Sequence, residues 1–395
     1  MMKNKIRKRI IVAMSGGVDS SVAAKLLADA GHEVVGVFLH FWKDDKAGEA
    51  ENKCCSAKAL LDARRVCRKI GIPLYTLNFS EIFKEEVVDN FLFEYSRGRT
   101  PNPCIRCNKL VKLGLLIKRA KEMGFDCVAS RHYACLRQEI LNSKFPRPRR
   151  AKRGGQIPKY KLFRGKDKDK DQSYFLYTLS QAELSRLLFP VGAYRKDEVR
   201  KLAKKFKLPV AEKKESQEIC FIPGKSHNDF LKRYLKLKKG KIKTLDNKII
   251  GEHEGLPLYT IGQRKGLEIG GTGPYYAARM DYKTNTLYVV SDGDDPVLYR
   301  DELVAKEVSW IAGREPKMPL ICQAVVRYQH KGVKCRVKNI EGKINTYKVK
   351  FKEPQRAITP GQSVAFYGIR RRSTNAAHPN EYNEDEVLGG GVISN

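Results

Sequence analysis

Apolar residues in the first third of the chain fall into short blocks that alternate with stretches of helical period, and glycines end most of the latter. Arg9 to Met14 is continuously apolar after its first residue and predicts a buried strand. Ser20 to Ala30, with Val22, Ala23, Leu26 and Leu27 on one face and Gly31 after it, predicts a helix. Glu33 to Phe41 predicts a second strand, Ser56 to Ile70 an amphipathic helix stopped by Gly71, and Leu74 to Phe79 a third strand. A helix is expected from about Glu81 to Tyr95, and another capped by Asn108 and running through Met123 to Gly124. Cys127 to Ala129 would be a fourth strand. Strands alternating with helices predict an α/β domain with a doubly wound parallel sheet, and ligands then bind beyond the carboxyl ends of the strands.

After His132 and Tyr133 this alternation breaks. Lys144 to Gly155 gathers Lys144, Arg147, Arg149, Arg150, Lys152 and Arg153 around two prolines and a Gly-Gly pair, a mobile loop that is either an RNA contact or a solvated insertion. Helical periods return at Gln181–Leu188, Lys196–Phe206 and Ser226–Leu237. From about Lys241 the texture is β, with turn signals at Asp246-Asn247, Thr284-Asn285 and Glu341-Gly342. Alternating runs such as Val333 to Val337 and Tyr347 to Phe351 separate them. The expected division is residues 1–225 as the α/β catalytic domain, 226–298 as a small central α+β domain and 299–395 as a β-barrel.

Composition narrows the partners. The formal charge of the 395 residues is +33, far beyond the magnitude of roughly 2–8 that solubility asks of a small domain. Such an excess points to a polyanion, nucleic acid first and anionic membrane second. No run of about 18 apolar residues predicts a membrane helix, and Met1 to Arg9 is basic without the apolar core of a signal peptide. A cytoplasmic location is therefore expected. There, ten cysteines read as buried, metal-binding or catalytic rather than as a disulfide framework. Cys54, Cys55, Cys67, Cys127, Cys135, Cys322 and Cys335 sit in apolar or β-patterned surroundings and are expected to be structural.

The first candidate chemistry lies between the first strand and the first helix, at Ser15-Gly16-Gly17-Val18-Asp19-Ser20-Ser21. Paired glycines let backbone N–H groups approach an anion, and the helix N-terminus adds a positive dipole end. The hydroxyls can donate to phosphate oxygens, whereas Asp19 would be repelled unless it bound a bridging cation, which implies Mg²⁺. The loop has neither the spacing of a dinucleotide-binding fingerprint nor the Gly-Lys-Ser/Thr of a P-loop. It resembles the PP-loop of the N-type ATP pyrophosphatases, of adenine nucleotide alpha hydrolase-like fold, which adenylate an oxygen and release pyrophosphate.

Thr100-Pro101-Asn102-Pro103-Cys104-Ile105-Arg106-Cys107-Asn108 places two thiols at C-x-x-C spacing ahead of a helix whose N-terminus favours thiolate. Cys220, between Ile219 and Phe221, taken alone is core-like. Together with Gly98–Pro103, Lys170–Leu176, Leu188–Gly192, Ile219–Ile222, Gly262–Leu267, Thr359–Gln362 and Leu388–Gly391, these strings resemble the bacterial tRNA-specific 2-thiouridylases over nearly the whole chain. That resemblance implies adenylation of the wobble-uridine C2 oxygen and sulfur transfer through a persulfide on Cys220. Cys107 would assist release and form a disulfide with Cys220. The sulfur would come from a persulfide carrier protein or a cysteine desulfurase. Ala13, Met14, Ser15, Gly16, Gly17, Val18, Asp19, Ser20, Leu39 and Arg131 would line the ATP site. Asn102, Pro103 and Cys104 would face the target base, while His132, Lys170, Asp171, Gln172, Arg327, Tyr328 and Gln362 would contact tRNA.

The chain departs from the family pattern twice. Cys104 stands where the family has Asp, so a set of three thiols (Cys104, Cys107, Cys220) could instead ligate a 4Fe–4S cluster that carries sulfide. Arg131 stands where a glycine approaches the nucleotide, and it either disturbs that contact or pairs with phosphate. The competing function is a PP-loop enzyme that amidates or ligates a small metabolite, which would need neither the three thiols nor the large positive charge.

Overall fold

The computed structural model describes residues 7–47, 56–139, 160–214, 219–222, 226–267, 269–270, 273–369 and 382–394. The basic segment Lys144–Gly155, Cys54 and Cys55 lie outside the described residues. Strand β1 (Arg9–Met14) runs into helix α1 (Val18–Asp29), β2 (Glu33–His40), helix α2 (Ala57–Ile70) and β3 (Leu74–Asn78). Ser56 caps α2 by accepting from the Ala59 N–H, and Gly71 ends it in the left-handed conformation at φ 82°. After a long helical region come β4 (Cys127–Ala129), the hairpin of β5 (Ala134–Gln138) with β6 (Tyr160–Arg164), and the short β7 (Leu187–Leu188).

The main sheet has the order β3-β2-β1-β4-β7, and all of its pairs are parallel. Ile10, Ile11 and Val12 are fully buried because helices cover both faces of the central strand. β1 is flanked by the strand that follows it on one side and by β4 on the other. This reversal of strand order opens a crevice at its carboxyl end, where Ser15 begins.

Two helical regions differ from their predicted form. The segment Ser80–Ser96 contains a wide-turn π stretch at Lys84–Asp89, and the next helix contains a longer one at Cys107–Leu115. That second helix starts at Pro103, with Asn102 as its cap (the Asn102 side chain accepts from Ile105 N at 3.4 Å), not at Asn108. Proline at the first helical position wastes no N–H, and this fixes the earlier start. Asn108 is instead buried within the helix and donates to the Phe175 carbonyl at 3.3 Å. The predicted helix over Gln181–Leu188 is only Gln181–Leu184, because Leu187 and Leu188 pair with β4 as an edge strand.

The central domain carries helix His227–Tyr234 and a sheet of β8 (Gly240–Thr244), β9 (Ile249–His253), β10 (Tyr276–Asp281) and β11 (Thr286–Val290), in the order β10-β11-β8-β9. The last six strands are β12 (Tyr299–Trp310), β13 (Leu320–Val325), β14 (Val333–Asn339), β15 (Tyr347–Arg356), β16 (Ser363–Tyr367) and β17 (Val387–Ile393). They close a barrel in the order β12-β15-β14-β13-β16-β17. Closure leaves no open edge.

All three parts meet at the loop leading to Cys104. The Thr100 hydroxyl lies 3.2 Å from that of Thr260 in the central domain, and the Thr100 N–H donates to the Pro360 carbonyl of the barrel at 2.9 Å. Gly361 has φ 91°, and a Cβ there would sit 2.9–3.0 Å from Thr100 backbone atoms. Gly361→Ala therefore combines left-handed strain with a clash against the loop that carries the cysteines. We expect a loss of at least about 1 kcal/mol and a loosened loop. Thermal unfolding together with cleavage of the 98–104 segment by limited proteolysis checks this; wild-type behaviour in both would show that the contact is unimportant.

Candidate active site

The turn after β1 is built around one carbonyl. Ser20 Oγ and Ser21 Oγ both donate to the Gly17 carbonyl, at 3.1 and 2.8 Å, and Ser15 N–H donates to Ser20 Oγ at 3.3 Å. Gly16 has φ 64°, and a Cβ on it would lie 2.1 Å from the Ala59 carbonyl oxygen, so the loop lies flat against the start of α2. Gly17 precedes α1 with no side chain capping it, which leaves the helix N-terminus open for an anion. Ala13, Met14 and Leu39 are buried at the strand ends around this loop, and Val18 is buried at the start of α1.

Asp19 is held by two partners. Tyr133 Oη donates to its carboxylate at 2.8 Å, and Lys196 Nζ does so at 2.6 Å. Lys213 Nζ donates to the Gly16 carbonyl at 2.9 Å and to Asp62 at 2.6 Å. The guanidinium of Arg131 reaches the loop as well, with one nitrogen 3.8 Å from the position a Cβ on Gly17 would take. The loop is thus ringed by three cations of which sequence reasoning singled out only Arg131. Lys196 did carry a signal. It opens the helix Lys196–Lys205, the end where the macrodipole disfavours a cation, so a nearby negative charge must hold it there.

The cysteine centre lies on the wide-turn helix. Cys107 is buried and Cys220 partly buried, while Cys104 keeps exposed surface although protein surrounds its thiol densely enough to desolvate it. Burial pushes the Cys104 thiol up to about 12, and the nearby Cys220 adds to the shift while Lys112 opposes it. Cys107 is pushed up by burial first and then by Cys220; the Lys112 ammonium and a hydrogen bond with the Lys112 backbone oppose the rise. The fold therefore brings Cys220, from a remote segment, within electrostatic range of both cysteines of the C-x-x-C pair. All three are free thiols here, without the Cys107–Cys220 disulfide.

Lys112 is the group that the sequence did not reveal. In the i→i+5 winding of Cys107–Leu115, residue 112 comes back above residue 107, whereas an α-helix would turn it away. His132 faces the same ammonium. Its Nδ1 is 2.7 Å from Ser130 Oγ, and burial, then Lys112 and Arg131, hold its pKa well below the usual histidine value. Arg131 and His132 are adjacent, one at the phosphate loop and the other beside Lys112, so the two halves of the site share a wall.

The residues expected to face tRNA divide into two groups. Tyr328 sits near Cys104, and its neighbour Arg327 lies near Tyr174. Tyr328 packs on Phe175 with ring centroids 4.5 Å apart, and Asp171 and Cys104 lie close enough to help burial push its phenol up to about 12. Asn102 caps its helix and also bonds to Tyr174, and Pro103 is buried beside it. Lys170 follows a turn in which Asp167 accepts from its N–H at 3.3 Å.

Other members of the set make side-chain hydrogen bonds inside the protein. The buried Asp171 carboxylate accepts from Gly165 N, Ser173 N and Ser173 Oγ at 2.8–3.1 Å and pairs with Arg164 at 3.4 Å. Gln172 accepts from Tyr133 N at 3.2 Å, and Gln362 donates to the Thr100 carbonyl at 3.0 Å. Among the described residues no group of three or more His, Cys, Asp or Glu side chains is arranged to hold a metal ion. No helix among them is long and apolar enough to cross a membrane.

Comparison with known proteins agrees with this layout. The family model described as "tRNA methyl transferase HUP domain" matches residues 8–224, "tRNA methyl transferase PRC-barrel domain" matches 228–291, and "Aminomethyltransferase beta-barrel domain" matches 300–393. The tRNA-specific 2-thiouridylase MnmA of Roseiflexus sp. is 43% identical over 98% of this chain and 99% of its own. That of Carboxydothermus hydrogenoformans is 44% identical over 98% of both chains. Among solved structures, the U34-tRNA thiolase NcsA of Methanococcus maripaludis aligns with 54% of this chain and 62% of its own, at 15% identity and a TM-score of 0.33, too distant to inform the site. With near-complete coverage at this identity, and with a family model matching residues 8–224, the chain belongs to the family of tRNA-specific 2-thiouridylases.

Proposed function

We propose that the protein converts the wobble uridine of tRNA to 2-thiouridine at the expense of ATP. The observation that carries this reading is the arrival of Cys220 beside Cys107 and Cys104, on a wall shared with the phosphate loop. An amidating or ligating enzyme has no use for thiols at that place. The uridine C2 oxygen attacks the α-phosphorus of ATP, pyrophosphate leaves, and C2 becomes electrophilic with AMP as its leaving group. The terminal sulfur of a Cys220 persulfide attacks C2 and AMP departs. Cys107 thiolate then attacks the Cys220 sulfur, and the S–S electrons pass to the sulfur on C2. The products are 2-thiouridine and a Cys107–Cys220 disulfide, which an external dithiol reduces. A persulfide carrier protein or a cysteine desulfurase reloads Cys220.

Within this reading, the Lys112 ammonium opposes, without cancelling, the burial that raises both thiols, and it is the cation placed to receive a thiolate at Cys107. The neutral His132 can exchange a proton there, and Arg131 and Lys196 neutralise phosphate charge. The buried Asp171 positions the wall of the site, and Lys170, Gln172, Arg327, Tyr328 and Gln362 are the residues assigned to the RNA, with Gln172 and Gln362 also bonded inside the protein. Mg²⁺, when bound, would screen the triphosphate. Asp19 is the one carboxylate of the loop sequence and fits a metal that keeps most of its ligands as water and phosphate oxygen. We place the division at 1–225, 226–298 and 299–395, with the barrel as a tRNA-binding part and the protein in the cytoplasm.

The persulfide route needs only Cys220 and Cys107, and it competes with a route in which Cys104, Cys107 and Cys220 hold a cluster that carries sulfide. Protein purified anaerobically, freed of iron and supplied with a cysteine desulfurase, ATP and tRNA is expected to form 2-thiouridine at full rate. Activity that appears only after reconstitution with iron and sulfide would overturn the persulfide route in favour of a cluster on Cys104, Cys107 and Cys220.

A further inference from the structure

Strands β14 and β15 present one face of the barrel to solvent. On β14 the buried Cys335 and Val337 alternate with exposed Lys334, Arg336 and Lys338. On β15 the buried Tyr347, Val349 and Phe351 alternate with exposed Lys348, Lys350 and Lys352. The register sets Arg336 directly opposite Lys350 and Lys338 directly opposite Lys348. Like charges facing each other across an antiparallel pair weaken the ladder, so the barrel gains nothing in stability from this arrangement. Strand β12 relieves it on one flank only, where Glu302 pairs with Lys348 at 2.8 Å and Asp301 with Lys350 at 3.4 Å. Among the described residues no carboxylate lies within ion-pair distance of Lys334, Arg336, Lys338 or Lys352.

We infer that this β14–β15 face binds the phosphodiester backbone of the tRNA, away from the base that reacts. The inference rests on the tRNA reading above and adds a second, sequence-independent contact to it. Outward residues recur about every 7 Å along a strand, and neighbouring strands lie about 4.8 Å apart, so the six cations form a compact grid. The grid has no apolar or aromatic centre. A protein partner would ask for a charge-depleted core with aromatic anchors, whereas phosphate contacts need only cations and carry no sequence information. Such contacts would hold the tRNA body while the target uridine reaches the cysteines near Tyr328.

The test compares wild type with the triple variant Lys334→Gln/Arg336→Gln/Lys338→Gln in binding an unmodified tRNA transcript over a range of salt. Binding is expected to weaken about 10- to 100-fold at moderate salt, and the slope of log affinity against log salt to fall by about 2 to 3. The melting temperature should equal or exceed that of wild type, since facing like charges are removed, and thiolation should show a raised KM with kcat near wild type. A control that neutralises the scattered exposed Lys58, Lys118 and Lys121 should bind nearly as wild type does. Equal weakening in the control, or wild-type affinity and slope in the triple variant, would overturn the inference. So would a variant that binds tRNA normally but accepts sulfur slowly from the desulfurase, since the face would then belong to a protein. Failure of wild type itself to bind the transcript would overturn the substrate reading as well.

Discussion

Cys220→Ser is expected to reduce 2-thiouridine formation to background while leaving ATP and tRNA binding intact. An oxygen in place of the sulfur cannot take up or deliver sulfane sulfur, so the transfer step disappears rather than slows. The change should not disturb the fold. Cys220 is only partly buried, and its segment is pinned by its neighbour Phe221, whose ring packs edge-on against Phe83, Phe91 and Phe230 at 5.3–5.7 Å. Adenylation precedes sulfur attack, so tRNA-dependent pyrophosphate release should survive the substitution. Nucleoside mass spectrometry of the tRNA, run beside a pyrophosphate assay, separates the two steps. Retained thiolation in this variant would sink both the persulfide and the cluster mechanisms. Loss of both products together would show that Cys220 supports the ATP site instead.

How far such a site is legible in sequence depends on the kind of signal. Buried strands are written as apolar runs, and β1, β2 and β4 fall where those runs are, while the mixed run of β3 is an exposed edge strand. The phosphate loop is equally local, since two glycines, three serines and an acid between a strand and a helix leave few other uses. The helix carrying Cys107 was less legible. No hydrophobic period distinguishes a wide π turn from an α turn, so the return of Lys112 above Cys107 could not be anticipated. Asn102 outcompeted Asn108 as a cap because a proline follows it, a difference the pattern of apolar residues does not carry. Lys213 carries no local mark, and only the tertiary approach of Asp62 and the Gly16 carbonyl gives it a place, as Asp19 does for Lys196 at its helix start. Cys220 has no local mark at all. Its reading depended first on family strings and then on its position beside Cys104 and Cys107.

The second large effect is expected at Asp19, where structure and chemistry pull in different directions. Its carboxylate is bound by Lys196 and Tyr133, and both ends of the ion pair are largely buried, with side-chain exposures of 11% for Lys196 and 14% for Asp19. Removing one partner of such a pair strands the other, at a cost of about 3 kcal/mol, so Asp19→Ala alone would mix instability with lost activity. Asp19→Asn keeps the size and the acceptor for Tyr133 but not the charge that recruits Mg²⁺ and restrains Lys196. We expect it to fold and to bind tRNA, yet to form pyrophosphate at least about 100-fold more slowly, the usual scale for losing an electrostatic contact made in the transition state. Lys196→Met should also slow adenylation. If Lys196 only steadies Asp19, added Mg²⁺ should recover the rate. If the ammonium instead leaves Asp19 to meet the departing pyrophosphate, no concentration of Mg²⁺ will. Single-turnover pyrophosphate release against Mg²⁺ concentration distinguishes these cases, and an unchanged yield in Asp19→Asn would show that the Ser15–Ser21 loop does not hold the triphosphate.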